Sequence, residues 1–367
     1  MGFQCGIVGL PNVGKSTLFN ALTSTAAAQA ANFPFCTIEP NVGRVAVPDP
    51  RLDRLAQAGK SASIVPTQLE FVDIAGLVRG ASRGEGLGNQ FLANIREVDA
   101  IVHVLRCFEN DDITHVDGSV DPLRDAETVE TELMLADLDS LERRAVTLGK
   151  KAKGGDAESK AFLAVIEPAL EALRAGRPAR VATPADPEAR RLFRQLQLLT
   201  SKPVLYACNV EESVAASGNA LSEKVAAKAA GEGAVSVVIS AAIEAEVAQL
   251  DDPGEKAEFL ASLDLSETGL TRIIRAGYNL LDLLTFFTCG PKEARAWTVN
   301  RGARAPQAAG VIHSDFERGF IRAETIAYED YVAFGGEAGA REAGRLRSEG
   351  KEYVVQDGDV MLFRFNV

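Results

Sequence analysis

Paired cysteines, long apolar runs and an excess of positive charge are all missing from this 367-residue sequence. Its five cysteines are odd in number, widely spaced and without any CxxC motif, which argues against a disulfide framework and a zinc knuckle. No apolar run approaches the roughly 18–20 residues that a membrane helix needs. We therefore expect a protein of the reducing cytoplasm that is not associated with membranes.

Basic residues are outnumbered, because 39 Lys and Arg stand against 51 Asp and Glu, for a formal net charge of −12. A chain this acidic is no general nucleic-acid coat, since phosphate binding needs a positive surface, and we expect no sequence-specific DNA binding. A local patch still allows contact with RNA. The 46% apolar content excludes wholesale disorder, and the length suggests two or three domains.

Short apolar segments alternate with helical patterns through most of the chain. Such alternation predicts a parallel α/β sheet with helices between its strands. The predicted strands cover residues 3–8, 42–47, 68–73, 99–105, 203–209 and 234–240.

A different pattern, of helical heptads, begins after about residue 121. The first apolar seam has a 4-3-4-3 spacing and consists of Met134, Leu138, Leu141, Ala145 and Leu148. After a lysine-rich polar turn, the second seam consists of Phe162, Ile166, Leu170 and Leu173. This pattern predicts an antiparallel helical hairpin inserted into the sheet domain. A structural arm with a solvated tip and a partner-docking arm both fit it.

Residues 9–16, GLPNVGKS, match the GxxxxGK[ST] phosphate-binding loop and lie between a predicted strand and a predicted helix. Its glycines let backbone N–H groups surround phosphates at the helix N-terminus. Lys15 should reach the β- and γ-phosphates, and the Ser16 hydroxyl should bind Mg²⁺. The residues predicted to hold the phosphates are Asn12, Val13, Gly14, Lys15, Ser16 and Thr17.

Two later residues narrow the class of nucleotide-binding protein. Asp73 ends a predicted strand, and Gly76 follows in the pattern DxxG, which suits a Mg²⁺ ligand and a backbone N–H for the γ-phosphate. Thr37 lies between the loop and Asp73, where a switch threonine completes the Mg²⁺ coordination. The order of phosphate-binding loop, threonine and DxxG along the sequence is typical of GTPase-like switch proteins. It argues against a small-molecule kinase.

The segment expected to recognise the base departs from the guanine-specific pattern Asn-Lys-x-Asp. It has Asn209, Val210 and Glu212 at the three fixed positions. The lysine that packs along the base is missing, and the acid is one methylene longer. A backbone carbonyl near Val210 can accept from the adenine amine, so the segment favours ATP. Ser240 and Ala241 fit the loop behind the base.

Leu77 occupies the position after Gly76, where Ras-like enzymes have a glutamine that orients the attacking water. An apolar side chain cannot do this, so another group must place the water or hydrolysis is slow. The candidates are Asn12 through a bound monovalent cation, His115 in the loop after the strand at 99–105, and Arg79 or Arg83. His103, in the middle of that strand, is expected in the core.

Segments 9–17, 32–41, 71–88, 209–212 and 357–363 together resemble the YchF / Obg-like ATPase family, and the resemblance covers essentially the whole chain. It implies a GTPase-like core, a coiled-coil insertion and a C-terminal TGS domain of β-grasp fold. It also implies hydrolysis of ATP in preference to GTP and association with ribosomes, notably the large subunit.

The same resemblance implies stimulation by potassium and a histidine acting in place of the glutamine. Asn12 and His115 occupy the matching positions. It further implies redox regulation, for which Cys36 is the candidate sensor, although an inert loop cysteine fits as well.

We therefore predict an α/β protein with a P-loop NTPase core at residues 1–122 and 203–282, a helical insertion at 123–202 and a TGS domain at 283–367. The predicted activity is Mg²⁺-dependent ATP hydrolysis by a monomeric, translation- or stress-linked switch, with His115, Lys15 and Gly76 as catalytic residues. The alternative is a nucleotide-gated binding module whose hydrolysis is incidental.

Overall fold

The computed structural model describes residues 3–30, 41–74, 87–110, 112–116, 118–250 and 252–366. The chain divides into two compact units. The first unit comprises Met1–Val45 and Glu70–Gly277, and the second comprises Ala46–Leu69 and Tyr278–Val367.

Twelve strands lie in the described part of the chain and form two six-stranded sheets. They are β1 (Gln4–Val8), β2 (Val42–Ala46), β3 (Ser63–Val65), β4 (Gln68–Asp73), β5 (Ala100–Arg106), β6 (Val204–Asn209), β7 (Val235–Ile239), β8 (Leu283–Cys289), β9 (Glu293–Asn300), β10 (Phe320–Ala327), β11 (Arg347–Glu349) and β12 (Asp359–Phe365).

The helices of the described residues vary widely in length, and none of them combines the length and apolar character needed to cross a membrane. They are α1 (Lys15–Ala30), α2 (Pro50–Gly59), α3 (Leu87–Glu97), α4 (Pro122–Lys153), α5 (Ala157–Arg174), α6 (Pro187–Arg194), α7 (Ala220–Glu232), α8 (Ala241–Val247), α9 (Pro253–Ser262), α10 (Gly269–Leu280), α11 (Ala305–Ile312), α12 (Ser314–Arg318), α13 (Tyr328–Ala333) and α14 (Glu337–Glu342).

The sheet of the first unit has the strand order β2-β4-β1-β5-β6-β7. Strands β4, β1, β5, β6 and β7 pair in parallel, as the alternating pattern predicts. Every residue of β5 and β6 is buried, because a central parallel strand is covered by helices on both faces. The carboxyl ends of these strands therefore meet at one edge of the sheet, where open α/β sheets bind ligands.

The predicted helical hairpin is present as α4 and α5. Both apolar seams contribute to one cluster, with Phe162, Ile166 and Leu170 buried in it. An aspartate caps the N-terminus of each helix. The Asp121 carboxylate accepts from two backbone N–H groups of the first turn of α4, and the Asp156 carboxylate accepts from one in α5. All three lysines of the predicted turn, Lys150, Lys151 and Lys153, lie in the last turn of α4, so the helix continues further than predicted. The helix dipole favours positive charge at this end.

The second unit contains the mixed sheet β11-β10-β12-β8-β9-β3. Strands β8 and β9 pair antiparallel, and β12 pairs in parallel with β8, so the sheet is mixed. One cluster includes residues of α11 with Phe286 and Phe363, and another includes residues of α2 and α13 with Phe287.

The structure differs from the predicted domain division at residues 46–69, which the prediction placed in the first domain. Strand β3 pairs in parallel with β9, and Leu52 and Leu55 of α2 pack into the core beside Phe287. Strand β3 has only three residues and no alternating apolar pattern. Its pairing with a strand more than two hundred residues away therefore leaves no local signal in the sequence.

Candidate nucleotide-binding site

The phosphate-binding loop connects β1 to α1, as the motif predicts. Its chain turns through left-handed or otherwise glycine-type conformations at Gly9, Asn12 and Gly14, with φ of 155°, 62° and 98°. A Cβ atom at Gly14 would also collide with the Asn209 side-chain amide. The loop leads directly into the first turn of α1, whose free N–H groups and dipole favour a bound anion.

Lys15 is the first residue of α1, and its side chain folds back into the loop. Its Nζ donates to the Leu10 carbonyl oxygen at 2.6 Å, and the residue is buried. Burial lowers the pKa of Lys15 to about 8, and the negative charge of Asp73 opposes this change. A phosphate in the loop would give this buried ammonium group a negative partner.

Asp73 is the last residue of β4 and lies in register with Ile7 near the end of β1. Burial raises the pKa of its carboxyl group, while the nearby charge of Lys15 lowers it. Ser16 is exposed in the first turn of α1. A carboxylate and a hydroxyl are hard oxygen donors that fit Mg²⁺ when phosphate oxygens and water complete the coordination.

A Mg²⁺ ion at this site would need oxygen ligands from the bound nucleotide in addition to those of the protein. The described residues contain no cluster of three or more His, Cys, Asp or Glu side chains that could hold a metal ion by itself. The predicted ligand Thr37 and the predicted catalytic residue Gly76 lie outside the described residues, as do Cys36, Leu77, Arg79 and Arg83.

Asn209 joins three predicted segments of the site. It is buried, its Nδ2 donates to the Val13 carbonyl oxygen at 2.9 Å, and its Oδ1 accepts from the Ala241 backbone N–H at 2.9 Å. It therefore ties the phosphate-binding loop to the start of α8. Val210 is buried beside it, and Glu212 is exposed at the start of a short 3-10 helix.

These segments surround a cleft of about 680 Å³, a size suited to a small-molecule ligand. Its lining residues come from four parts of the first unit and are Asn12, Gly14, Thr17, Phe108, Asn110, Ile113, Asn209, Val210, Glu211, Glu212, Ser213, Ser240, Ala241 and Ala242. The predicted site residues omitted Glu211, Ser213 and Ala242, which are close in sequence to predicted ones, and also omitted Phe108, Asn110 and Ile113. The signal for the last three was position alone, because they follow the buried strand β5 at the ligand-binding edge of the sheet.

The loop after β5 also contacts the phosphate-binding loop. Asn12 Nδ2 donates to the Thr114 carbonyl oxygen at 3.1 Å. The next residue, His115, is buried, with its Nε2 2.8 Å from Oδ2 of the fully buried Asp125 in α4. The structure thus brings the His115 backbone close to the phosphate site and holds its ring against α4. His103 is buried in β5, which confirms its predicted place in the core.

The phosphate-binding loop, the aspartate at the end of β4 and the asparagine between the loop and α8 lie at one edge of a parallel sheet. This arrangement defines the chain as a P-loop NTPase. The model of the MMR_HSR1 family, described as "50S ribosome-binding GTPase", matches residues 4–137. The model of the YchF-GTPase_C family, described as "Protein of unknown function (DUF933)", matches residues 283–366.

Full-length relatives identify the family. A Haemophilus influenzae protein named Ribosome-binding ATPase YchF is 61% identical, and one of the same name from Bacillus subtilis is 55% identical, each with 100% of both chains covered. A solved structure of the Schizosaccharomyces pombe YchF GTPase is 38% identical and has a TM-score of 0.88, covering 99% of this chain and 98% of that chain. The chain belongs to the YchF family, and the predicted fold class and family are confirmed.

Proposed function

We propose that this protein is a Mg²⁺-dependent ATPase that prefers ATP to GTP and binds the large ribosomal subunit. The base-recognition segment carries the preference for ATP. Val210 lines the cleft where the usual pattern has lysine, so the cleft lacks the lysine stem that lies along guanine. Glu212 is longer than the usual aspartate, and adenine has no 2-amino group for it to bind.

Hydrolysis is an in-line attack of water on the γ-phosphate, promoted mainly by positioning and electrostatics. Lys15 neutralises the β- and γ-phosphate oxygens, and the N–H groups of α1 hold them. Ser16, Asp73 and Thr37 are the residues that would hold Mg²⁺. The bound ion would neutralise the charge that develops on the phosphates.

We assign the water-orienting role to His115. A neutral imidazole can accept a hydrogen bond from water through its unprotonated nitrogen. The ring is buried with its Nε2 2.8 Å from the Asp125 carboxylate, so this role requires His115 to move from Asp125 towards the cleft. A K⁺ ion near Asn12 and the arginines Arg79 and Arg83 are the competing candidates.

Contact with the ribosome is proposed from the names of the relatives and from a local cluster of arginines. Residues 123–202 carry 14 basic and 13 acidic side chains, in a chain whose net charge is −12. Exposed Arg190, Arg191 and Arg194 of α6 line a surface depression of about 530 Å³. Such a cluster suits RNA phosphates, and it favours the partner-docking interpretation of the arm. A cytoplasmic monomer is consistent with this role.

The preference for ATP is tested by titrating ATP and GTP side by side. We expect ATP to bind at least as tightly as GTP, and the double variant Val210→Lys, Glu212→Asp to shift preference towards GTP. Glu211→Asp is the matched control, because this neighbour also lines the cleft but lies outside the base-recognition pattern. A tenfold or greater preference of the unaltered protein for GTP would contradict the proposal.

Ribosome contact is tested by sedimentation of the protein with ribosomes and with separated subunits. The double variant Arg191→Glu, Arg194→Glu should lose binding. Arg143→Glu, Arg177→Glu should retain it, since it makes the same charge change at exposed sites of the same arm. Single-turnover ATP hydrolysis, measured with and without ribosomes and K⁺, separates a true ATPase cycle from a binding module with incidental hydrolysis.

A further inference from the structure

We propose that Arg106 is a positioning residue for the nucleotide cleft, because it fixes the wall formed by Phe108, Asn110 and Ile113. The inference rests on the proposed function only in taking the ligand of this cleft to be a nucleotide. Arg106 itself is not among the residues that line the cleft. It acts through the backbone of the loop after β5.

The position of Arg106 follows from the register of the sheet. It is the last residue of β5 and pairs with Asn209, the last residue of β6. The next residue, Cys107, donates its backbone N–H to the Asn209 carbonyl oxygen at 2.8 Å. Arg106 therefore lies directly beside the asparagine that ties the phosphate-binding loop to α8.

The guanidinium group of Arg106 binds three carbonyl oxygens of the following loop. Its Nε donates to Phe108 at 3.1 Å, and its two terminal nitrogens donate to Ile113 at 2.8 Å and Asn110 at 3.0 Å. The guanidinium carbon also lies 4.7 Å from the centre of the Phe108 ring. One side chain thus binds the backbone of the loop at three positions, Phe108, Asn110 and Ile113.

Arg106 is only 2% exposed, so its charge has been removed from water. Its three described hydrogen bonds all go to neutral backbone carbonyls, whereas a buried charge is usually compensated by an opposite charge. An apolar residue would fill this place in a core strand without that cost. The loop gives the reason for an arginine here, because the planar guanidinium group has several N–H donors, arranged as a fork, and can bind several fixed carbonyl oxygens at once.

The residues that Arg106 binds are the residues that form the cleft wall. Phe108, Asn110 and Ile113 all line the cleft, and each gives its carbonyl oxygen to Arg106. The same segment continues to Thr114, which accepts from Asn12 of the phosphate-binding loop. Loss of the fork should therefore loosen the wall and weaken nucleotide binding, even though the phosphate contacts stay intact.

The test compares Arg106→Lys and Arg106→Met with Arg180→Lys and Arg180→Met. Arg180 is the matched control, because it is a largely buried arginine of the same unit that binds Glu130 and Glu232 and does not line the cleft. ATP and ADP are titrated at a temperature at which thermal unfolding shows every variant to be folded. Amide hydrogen exchange of residues 107–116 is measured without nucleotide.

Both Arg106 variants should bind ATP and ADP about tenfold or more weakly, and residues 107–116 should exchange faster. Lysine should not rescue binding, because it keeps the charge but lacks the fork. The Arg180 variants should bind within about twofold of the unaltered protein. A tenfold loss corresponds to about 1.4 kcal/mol of binding free energy.

Two results would overturn the inference. The first is unchanged exchange of residues 107–116 in the Arg106 variants. The second is nucleotide affinity that is unchanged, or that falls equally in the Arg180 variants. If the unaltered protein binds neither ATP nor GTP, the proposed function fails. The exchange measurement then still decides whether Arg106 holds the loop.

Discussion

The two sides of the nucleotide cleft are built in different ways. The phosphate-binding loop, residues 9–17, takes its shape from its own backbone, which adopts positive φ at Gly9, Asn12 and Gly14. The facing loop, residues 107–116, takes its shape from buried side chains of other elements: Arg106 in β5, and Asp125 in α4, which holds His115. A short motif therefore specifies the first side, whereas the second depends on side-chain contacts that no sequence motif records.

This difference predicts different responses to substitution. Changes on the phosphate side should remove chemistry without loosening the fold, because Lys15 and Ser16 act on the ligand. Changes of Arg106 and Asp125 on the facing side should alter the geometry of the cleft, because these buried side chains hold the loop. His115 is the exception on this side, because its proposed role is in the chemistry. The predictions below test that contrast from the largest expected effect to the smallest.

The largest effect is expected on the phosphate side. Lys15→Ala and Ser16→Ala should each abolish ATP turnover, because each removes charge stabilisation at the phosphates or a ligand of Mg²⁺. Steady-state ATPase assays with excess Mg²⁺ measure the loss. Thermal unfolding without nucleotide should stay close to that of the unaltered protein for Ser16→Ala, since the side chain is exposed.

The comparison fails if Ser16→Ala turns over ATP at a near-normal rate across a range of Mg²⁺ concentrations. The hydroxyl would then not be a metal ligand.

The next effect is expected at His115. His115→Ala should lower kcat by roughly 10²–10⁴-fold, as expected for a positioned base, and leave ATP affinity nearly unchanged. Steady-state kinetics beside an ATP titration separates the two quantities. Such a result would place chemistry on both sides of the cleft.

Asp125→Asn is the companion variant, since it keeps the size of the partner and removes its negative charge from His115. It should lower kcat less than His115→Ala. If His115→Ala hydrolyses ATP normally and loses only thermal stability, the histidine is structural. The water-orienting role then passes to a bound cation, Arg79 or Arg83.

The smallest effect concerns the strand that supports the facing loop. Burial, aided by the charges of Lys15 and Lys228, lowers the pKa of His103 in β5 to about 3. The unfolded chain has the ordinary value of about 6.5 and so binds more protons between these two pH values. Stability should therefore fall as pH drops below 6.5, by about 2 kcal/mol between pH 7 and pH 5 from this residue alone.

Chemical denaturation at pH 7 and pH 5 tests this with His103→Gln as the comparison, because glutamine is polar and does not titrate. The unaltered protein should lose about 2 kcal/mol more than the variant over this interval. Equal losses would mean that His103 is accessible to protons in the folded state.

The sequence predicted the phosphate side of the cleft in detail. A spaced motif names Gly14, Lys15 and Ser16, and the alternation of strands and helices places Asp73 and Asn209 at the same sheet edge. The helical hairpin of α4 and α5 could be predicted equally well from its heptad seams, because their apolar residues repeat at short intervals in the sequence. In each case a short-range pattern carries the information.

The facing side could not be predicted to the same depth. Nothing near Arg106 in the sequence shows that its side chain turns back to bind three carbonyls. The pairing of His115 with Asp125 likewise depends on where α4 begins relative to the sheet. The pairing of β3 with β9 joins segments far apart in the chain. These features arise from tertiary packing, for which the local sequence carries no periodic signal.

Amide hydrogen exchange of the whole chain, with and without Mg²⁺ and ATP, tests the two-sided cleft most directly. We predict that ATP protects residues 9–17 of the phosphate-binding loop and residues 107–116 of the facing loop together. Smaller protection is expected at residues 209–213 and 240–242. Protection of residues 9–17 with no change at 107–116 would contradict the account, because the facing loop would then not form a wall of the nucleotide site.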